Sequence, residues 1–531
     1  MERFAGRVML LWGWRRAGLA ILAGAVAALS MPPVSFVASL FVSFTLLVWL
    51  MDGTATVPEA GRLGRFRTAF SLGWLFGFGY FVAGLWWLGN ALLVDADEFA
   101  WALPLAIFGL PAVLAVFYGC ATLIASLLWS DGFGRLAALG VGFALAEWLR
   151  SFLFTGFPWN AIGYGVMPVP VMMQSAQAIG IFGVTLLAVF VAGAPALIAT
   201  RKGAAGGLVI AAALIAAHVG YGVYRMHVVA AIPSSQPPLS VRIVQPVIDQ
   251  ARKMDNTDRL AVFEEHLVLS ALPPKPGARR PDVIVWPETS VPFILTQNPG
   301  ALTRIAGMLQ DGQVLLAGVV RAEEAAPGEP TRYYNSVYAI DSQGEIIAAS
   351  DKVHLTPFGE YLPFQSFWDR LGISNIVEMP GGFTAGASRS LITLPSGRSF
   401  YPLICYEAIF PAEIGADVTR ASALLNITND AWFGNTPGPY QHFLQARLRA
   451  VETGLPLIRG ANNGISAIIN ATGEVGNALD FDQKGVIDST LSGASVPAWD
   501  NYTRETHFWL LILSMALIAA VSRMGLKNHL N

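Results

Sequence analysis

Three reactive side chains stand out in this sequence because each follows an apolar run within the polar stretch between residues 228 and 505. Glu288 closes Pro-Asp-Val-Ile-Val-Trp-Pro-Glu, Lys352 lies in Asp-Lys-Val-His-Leu-Thr-Pro-Phe-Gly-Glu, and Cys405 lies in Phe-Tyr-Pro-Leu-Ile-Cys-Tyr-Glu. A carboxylate, an ammonium and a thiol can serve as a base, an electrostatic clamp and a soft nucleophile. Together they predict attack on an acyl carbon.

The chain contains only two cysteines, Cys120 and Cys405. Cys120 lies within a hydrophobic run and Cys405 in the polar part, so no disulfide is expected between them. Cys120 is most simply a small buried apolar residue. A lone thiol in an exported domain is unusual, since oxidising compartments tend to pair or eliminate thiols. This favours a chemical role for Cys405.

The composition indicates an integral membrane protein. Charged residues make up 13% of the chain, about half of the ~25% usual for soluble domains. Apolar residues make up 54%, and the mean hydropathy is +0.51. Acidic residues outnumber basic ones between 228 and 505, and the excess of basic residues lies in the hydrophobic remainder. An acidic polar part on a basic membrane part argues against nucleic-acid binding.

Apolar runs near the length needed to cross a bilayer, about 20 residues, occur on both sides of the polar part. Arg15 and Arg16 precede the first run, but further runs follow at once, so it is interpreted as a retained anchor rather than a cleaved signal peptide. We predict eight spans, near residues 15–32, 34–51, 68–89, 101–129, 134–149, 170–199, 204–224 and 507–525.

The distribution of positive charge predicts the orientation of these spans. With a cytoplasmic N-terminus, the short outer loops carry only Arg150. The inner segments carry Arg3, Arg7, Arg15, Arg16, Arg62, Arg65, Arg67, Arg135, Arg201, Lys202, Arg523 and Lys527. Seven spans then place the polar part outside, and the eighth returns the C-terminus to the cytoplasm.

The polar part has the pattern of an α/β domain. Loops are expected at 273–277 and 325–330, which are rich in proline and glycine. Short β-rich runs occur at Ser240–Val244, Val283–Trp286, Val314–Val320, Ser336–Ile340 and Phe400–Cys405. Helical spacing occurs at Arg259–Leu272, Ala301–Gln310 and Tyr440–Thr453.

The sequence resembles the carbon–nitrogen hydrolase (nitrilase) superfamily in the order of Glu288, Lys352 and Cys405 and in the motifs around them. With hydrophobic spans on both sides, nearly all 531 residues resemble the bacterial apolipoprotein N-acyltransferase family. The resemblance, not strand counting, implies a four-layer α-β-β-α sandwich attached to a membrane bundle of about eight helices. The expected domains are a seven-helix membrane domain at 1–226, a periplasmic catalytic domain at 227–503 and a final helix at 504–531.

The resemblance also implies roles and substrates. Glu288 would be the general base, Lys352 the oxyanion stabiliser and Cys405 the nucleophile. Cys405 would take an acyl chain from a phospholipid as a thioester and pass it to the N-terminal amine of a diacylglyceryl-cysteine apolipoprotein. No cofactor is expected, because the ester already carries the acyl group. The expected location is the bacterial inner membrane, with both termini cytoplasmic.

Supporting residues are expected at Glu360, Tyr406 and Glu407. Glu360 is expected to hold the lysine by an ion pair, as the second glutamate of the superfamily does, and Glu407 with Tyr406 to hold the loop over the thiol. Each carboxylate is equally compatible with a satisfied structural group. His354 has no partner at a metal-ligand spacing, so no metal site is expected.

Three further words resemble the family. Residues 426–434 and 459–466 suit either a pocket wall or a well-capped structural turn. Gln245-Pro-Val-Ile-Asp-Gln250 departs from the usual Gln-x-Asn-Ile-x-Gln, because Val247 replaces an amide. Any polar contact expected of that amide is therefore in doubt.

A far-side loop at Phe157–Tyr164, rich in aromatic residues, is expected at the level of the lipid headgroups. Glu147 and Arg150, near the same interface, are expected either to meet a headgroup or, more simply, to pair with each other. Two other functions fit the sequence. A membrane-tethered amidase would share the triad but use water as acceptor. A transporter with an exported sensor domain would need ionisable residues deep within its spans, which are nearly absent.

Overall fold

The computed structural model describes residues 1–55, 62–230, 237–254, 258–274, 279–324, 331–364, 370, 382–491, 498 and 500–528. The loop expected at 325–330 and most of the one expected at 273–277 lie outside these residues. The chain divides into two compact units. The first comprises residues 1–230, 436–444 and 498–531, and the second comprises residues 231–435 and 445–497.

The first unit is helical. Its helices are α1 (Glu2–Met9), α2 (Gly13–Ala28), α3 (Ala38–Ala55), α4 (Arg62–Leu85), α5 (Ala96–Phe99), α6 (Leu110–Leu127), α7 (Gly134–Arg150), α8 (Pro170–Met173), α9 (Ser175–Gly193), α10 (Ala196–Thr200) and α11 (Ala204–Ala230), with α16 (Asn501–Asn528) near the C-terminus. Short 3-10 or π turns link several of them, as at Trp86–Leu93 and Leu105–Gly109.

Five helical segments among the described residues are long and apolar enough to cross a membrane: Leu63–Leu93, Ala96–Leu127, Ser175–Thr200, Ala204–Val229 and Asn501–Met524. They coincide with five of the eight predicted spans. The other three predicted spans fall on α2, α3 and α7. Of these, α3 contains a shorter apolar helix, Ala38–Thr54. The membrane character of this unit therefore follows from its helices as well as from its composition.

The second unit contains two six-stranded sheets. The strands are β1 (Leu239–Gln245), β2 (Val283–Val285), β3 (Val314–Glu323), β4 (Arg332–Ile340), β5 (Ile346–Asp351), β6 (Ile392–Thr393), β7 (Ser399–Ile404), β8 (Ala423–Thr428), β9 (Leu457–Ala461), β10 (Ser466–Ile469), β11 (Val475–Leu479) and β12 (Gly485–Leu491). The first sheet has the order β12-β1-β2-β3-β4-β5 and the second β11-β10-β9-β8-β7-β6. Within each, the three central strands β1-β2-β3 or β7-β8-β9 run parallel.

The two sheets pack face to face. Alternate side chains of β1 and β2, such as Val241 and Val285, share one buried cluster with Phe400 and Leu425 of the second sheet. The opposite face of the first sheet packs against helices, since Ile284 lies in a second cluster with residues of α13 (Arg259–Ser270) and α14 (Pro299–Met308). The remaining α-helices among the described residues between 231 and 497 are α12 (Gln250–Met254) and α15 (Gly438–Thr453). The first turns of α15, up to residue 444, belong to the first unit.

The five strands and three helices predicted for the polar part are present, with bounds shifted by a few residues. Two shifts matter for chemistry. Trp286 and Cys405 were predicted as the last residues of strands, but β2 ends at Val285 and β7 at Ile404. Both residues therefore lie where the chain leaves a sheet, at the carboxyl ends of parallel strands.

Candidate active site

Cys405 lies at the turn between strand β7 and a short 3-10 helix at Cys405–Ile409. Its φ is +50°, a left-handed conformation that costs a non-glycine residue roughly 1–2 kcal/mol. Such strain persists only where surrounding structure holds it, and it is common at reactive residues. The side chain keeps part of its surface accessible, so the turn presents the sulfur at the rim of the second sheet.

Lys352 follows β5 directly, and its side chain is 1% exposed. The backbone N–H of Lys352 donates to the carbonyl of Asn335, which fixes the residue against β4. Its ammonium lies 2.8 Å from Oε2 of Glu360 and 3.7 Å from Oε1 of Glu288. The Thr356 hydroxyl is 3.4 Å away. The lysine thus lies between two buried carboxylates.

Glu288 lies in the segment that leaves β2 and passes over strand β3. The chain passes so close to Gly318 of β3 that a Cβ there would lie 2.3 Å from the carbonyl oxygen of Pro287 and 2.7 Å from Cα of Glu288. Ser290 anchors the same segment, because its N–H donates to the carbonyl of Gly318 at 2.8 Å. Because Gly318 has no side chain, the segment that carries Glu288 can approach β3 closely, and this fixes the position of Glu288.

Asn335, inside β4, connects the two carboxylates. Its side-chain Nδ2 donates to Oε1 of Glu288 at 2.7 Å and to Oε1 of Glu360 at 2.8 Å. The carboxylate of Glu360 also accepts a hydrogen bond from the N–H of Thr356 at 2.7 Å. Asn335 donates a hydrogen bond to each carboxylate and Lys352 forms an ion pair with each, so the two carboxylates are held close together.

Glu407 joins the thiol loop to the lysine loop. Its buried carboxylate accepts hydrogen bonds from the N–H groups of Ile404 at 2.7 Å and Val353 at 2.9 Å, and from the Arg389 guanidinium at 2.7 Å. The N–H of His354 adds a further contact at 3.2 Å. One side chain therefore ties the residue before Cys405 to the residue after Lys352.

Tyr406 is 7% exposed and lies beside the thiol. Its ring meets the ring of Phe410 edge to face at 5.0 Å and lies 5.7 Å from that of His354. His354 stacks on Phe410 at 3.9 Å and pairs with Glu413. No group of His, Cys, Asp and Glu side chains within the described ranges has the arrangement of a metal site.

The electrostatics oppose a resting thiolate. Burial and the nearby carboxylate of Glu288 raise the pKa of the Cys405 thiol well above its usual range, and the Lys352 ammonium only partly offsets them. For Lys352, burial favours the neutral form, but Glu360, Glu288 and Cys405 outweigh it, so the pKa of the ammonium is raised. The site therefore holds a neutral thiol beside a permanent cation.

The comparisons with known proteins identify both parts of the chain. Residues 23–194 match the apolipoprotein N-acyltransferase N-terminal domain, and residues 240–501 match the carbon-nitrogen hydrolase family. Apolipoprotein N-acyltransferases from Rhizobium rhizogenes, Rhizobium leguminosarum bv. trifolii and Agrobacterium fabrum are 61%, 63% and 63% identical over 100% of this chain and 100% of their own. The chain belongs to the apolipoprotein N-acyltransferase family.

An amidase from Nesterenkonia sp. aligns with 50% of this chain and 93% of its own, at 18% identity and a TM-score of 0.33. The carbon-nitrogen hydrolase match spans Glu288, Lys352 and Cys405. The membrane-family match spans the helices from within α2 to the end of α9. Membership in the acyltransferase family therefore accounts for the membrane unit and the catalytic unit together.

Several residues of the site were not singled out from the sequence. Asn335 lies inside β4, immediately before the run Ser336–Ile340 that was predicted as a strand, and no motif marked it. Thr428 donates to Cys405 Sγ at 3.3 Å, and Asp430 pairs with Arg459 at 2.7 Å. Thr428, Asp430 and Arg459 lie in the segments 426–434 and 459–466, which resemble the family. Their individual contacts could not be predicted, because they depend on how β8 pairs with β7 and β9.

The backbone conformation at Val247 explains why an amide is usual at this position. Val247 has a φ of +56°, a region that asparagine enters far more readily than a β-branched residue. Its N–H donates to the carbonyl of Asn462 at 3.1 Å, while Gln245 donates to the carbonyls of Asp480 and Gln483. The usual amide at this position thus suits the turn itself, whatever contact its side chain makes.

In the membrane unit, the hydrogen bonds of Glu147 and Arg150 go to other groups rather than to each other. The Glu147 carboxylate accepts hydrogen bonds from the hydroxyls of Tyr118 at 2.7 Å and Thr185 at 2.6 Å, and from the N–H of Ile162 at 2.8 Å. Arg150 donates to the carbonyls of the loop at Phe157–Tyr164, including that of Trp159 at 2.8 Å. Both side chains are buried and hold this loop from opposite ends.

Proposed function

We propose that this protein transfers a fatty acyl chain from a phospholipid to the N-terminal amine of a diacylglyceryl-cysteine apolipoprotein. The supporting observation is that the carboxylates of Glu288 and Glu360 both lie within 3.7 Å of the Lys352 ammonium, in the electrostatic neighbourhood of the Cys405 thiol. The full-length relatives carry the name of this activity. The long apolar helices fit substrates that are themselves lipids.

In the first half of the reaction, Cys405 attacks the ester carbonyl of the phospholipid. Because the thiol is neutral at rest, Glu288 accepts its proton as the C–S bond forms. The Lys352 ammonium stabilises the oxyanion of the tetrahedral intermediate. The intermediate collapses by breaking the C–O bond, Glu288 returns the proton to the departing alkoxide, and a lysophospholipid leaves an acyl thioester on Cys405.

In the second half, the amine of the apolipoprotein attacks the thioester carbonyl. Glu288 accepts a proton from the attacking nitrogen, Lys352 again stabilises the oxyanion, and the C–S bond breaks to give an amide. The proton returns to the sulfur of Cys405, which restores the starting state. No cofactor takes part, because both bonds exchanged belong to the acyl group.

The supporting residues act through position. Glu360 holds the ammonium of Lys352, and Asn335 fixes Glu360 relative to Glu288. Glu407 ties the thiol loop to the lysine loop, with Tyr406 packed beside the sulfur. A shift of either loop would move the nucleophile from the oxyanion site, which is why hydrogen-bonded support matters for rate.

We further propose a location in the inner membrane, with the catalytic domain (227–503) periplasmic, both termini cytoplasmic, and membrane domains at 1–226 and 504–531. Helices α2, α3 and α7 contain 16, 18 and 17 residues, or about 24–27 Å at the rise of an α-helix. With their flanking residues they can cross a core of about 30 Å. Eight spans then account for the charge asymmetry of the loops.

The covalent intermediate gives the decisive test. Purified protein incubated with a phospholipid alone should gain the mass of one acyl chain, and the adduct should disappear when a diacylglyceryl lipopeptide is added. Cys405→Ala should abolish the adduct, whereas Cys120→Ala should keep it. Release of free fatty acid with no acylated lipopeptide would instead favour a water-using hydrolase, and an active enzyme with no adduct would refute the thioester route.

The orientation has its own test. Cysteines introduced at Arg65 and at the exposed Gly300, in a Cys120→Ala, Cys405→Ala background that has no other thiol, can be probed in whole cells with a thiol reagent that does not cross the inner membrane. We expect labelling at residue 300 only. Labelling at residue 65 without labelling at residue 300 would reverse the proposed orientation.

A further inference from the structure

The hydroxyl of Thr428 lies between two acceptors. Thr428 is the last residue of β8, is fully buried, and adjoins the end of β7 through the parallel pairing of Ile404 with Ile427. Its Oγ1 is 3.3 Å from Sγ of Cys405 and 3.0 Å from Oδ1 of Asp430. A hydroxyl has one proton, so it can donate fully to only one of these atoms at a time.

Asp430 is a fixed acceptor. Its Oδ2 accepts a hydrogen bond from Arg459 at 2.7 Å, and both side chains are fully buried. Arg459 is held in turn by Asn426 and by the carbonyl of Ile465. Gly464 completes this enclosure, because a Cβ there would lie 2.4 Å from Oδ2 of Asp430. The carboxylate therefore cannot follow the hydroxyl when the hydroxyl turns.

The two acceptors change rank during the reaction. While Cys405 is a neutral thiol, the Asp430 carboxylate is the stronger acceptor, since hydrogen bonds to an ionised group are about twice as strong as neutral ones. When Glu288 has taken the proton, the sulfur is also an anion. Asp430 keeps its hydrogen bond to Arg459 when the hydroxyl of Thr428 turns away, so its charge remains paired.

We infer that Thr428 is a positioning residue whose hydroxyl turns from Asp430 to the sulfur of Cys405 when the thiolate forms. This inference rests on the proposed function and deepens it. The same turn serves both halves of the reaction, because the thiolate is the attacking group in the first and the leaving group in the second. Thr428 itself gains and loses no proton, and Glu288 remains the proton acceptor.

The test measures the sulfur without any lipid. In a Cys120→Ala background, Cys405 is the only thiol, and its alkylation by uncharged iodoacetamide between about pH 6 and 9 reports the thiolate directly. Thr428→Val keeps the shape of the side chain but removes the hydroxyl. We expect it to slow alkylation at least about tenfold, by the same factor at every pH below the thiol pKa. Thr428→Ser, which keeps the hydroxyl, should stay within about threefold of the parent.

A matched control separates this effect from packing. Thr472→Val removes another buried hydroxyl, in the turn between β10 and β11, and should leave alkylation unchanged. In the acyl-transfer assay, Thr428→Val should lower kcat with little change in KM for the phospholipid. Rates are expressed per folded molecule, and Thr428→Ala replaces the valine variant if the latter does not fold.

Two results would overturn the inference. Alkylation of Thr428→Val, or of Thr428→Ala, at the parent rate would show that the hydroxyl does not stabilise the thiolate. A serine variant as slow as the valine variant would show that the threonine acts through packing alone. Neither result depends on acyl transfer, so a failure of the proposed function would be seen separately, as a missing acyl adduct in the parent protein.

Discussion

Two buried clusters of charged side chains, the one around Glu147 in the membrane unit and the one around Lys352 in the catalytic unit, differ in how their charges are satisfied. In the membrane unit, Glu147 is saturated by two hydroxyls and a backbone N–H, and Arg150 donates to backbone carbonyls. In the catalytic unit, Glu288 and Glu360 face the ammonium of Lys352 directly. Burial of charge is common to both, so burial alone does not mark a reactive site.

What distinguishes the catalytic cluster is a proton that can move. Glu288 can accept the proton of the neutral Cys405 thiol. The Lys352 ammonium favours this transfer because it attracts the thiolate that results. The cluster around Glu147 contains hydroxyl and amide donors, which hold their protons at neutral pH. In the proposed mechanism the first cluster moves a proton, whereas the second cluster fixes a loop.

The largest expected effect is that of removing the cation from the catalytic cluster. Lys352→Met keeps the length of the side chain but removes the oxyanion stabiliser and leaves two carboxylates facing each other. We expect acyl transfer to fall about a thousandfold or more, measured with a labelled phospholipid and a lipopeptide acceptor. Lys484→Met, at a half-exposed lysine paired with Glu265, is the matched control and should retain activity. Substantial activity in Lys352→Met would remove the lysine from the mechanism.

Neutralising the membrane cluster should affect stability rather than chemistry. Glu147→Gln replaces a fully satisfied carboxylate by an amide that cannot accept from all three donors. We expect a loss of about 1–3 kcal/mol in the free energy of unfolding, seen as a lower melting temperature in detergent. The alkylation rate of Cys405 in the folded fraction should be unchanged. A fall in that rate without a fall in melting temperature would make Glu147 part of the catalytic machinery and would end the contrast.

The pH dependence of the thiol sharpens the same contrast. Since the pKa of Cys405 is raised, its thiolate fraction stays small and grows about tenfold per pH unit below that pKa. Alkylation of Cys405 in a Cys120→Ala protein should therefore rise steadily from pH 7 to 9. A cysteine-containing peptide, the control, should begin to level off near its ordinary pKa of about 8.5. A plateau for Cys405 below pH 8 would show a thiolate already present at rest.

Much of this arrangement could be predicted from the sequence, because strand ends leave a local mark. Glu288, Lys352 and Cys405 each follow an apolar run, and the structure places each just beyond a strand. Asn335 has no such mark, because its position between the two carboxylates depends on how β4 pairs with β5. The register between distant segments depends on the assembled sheet, so it cannot be predicted from a short sequence motif.

Glu147 and Arg150 show the same limit from the other side. Residues three apart on a helix are neighbours on its surface, so a pair between them is a reasonable expectation. The structure instead gives each of them a backbone hydrogen-bond partner in the loop at Phe157–Tyr164. Local spacing predicts which contacts are available, but a buried loop that needs hydrogen-bond partners decides which of them form.

Val247 provides the smallest and most local prediction. Here the sequence showed a departure from the family motif but not the backbone conformation at this position, which has a φ of +56°. Because asparagine tolerates the left-handed region and valine does not, Val247→Asn should raise the free energy of unfolding by about 1 kcal/mol. The measurement is the melting temperature in detergent. The same change at Val475, an exposed strand residue with ordinary φ, should bring no gain. If Val247→Asn instead lowers the melting temperature, packing of the valine methyl groups outweighs backbone strain at this turn.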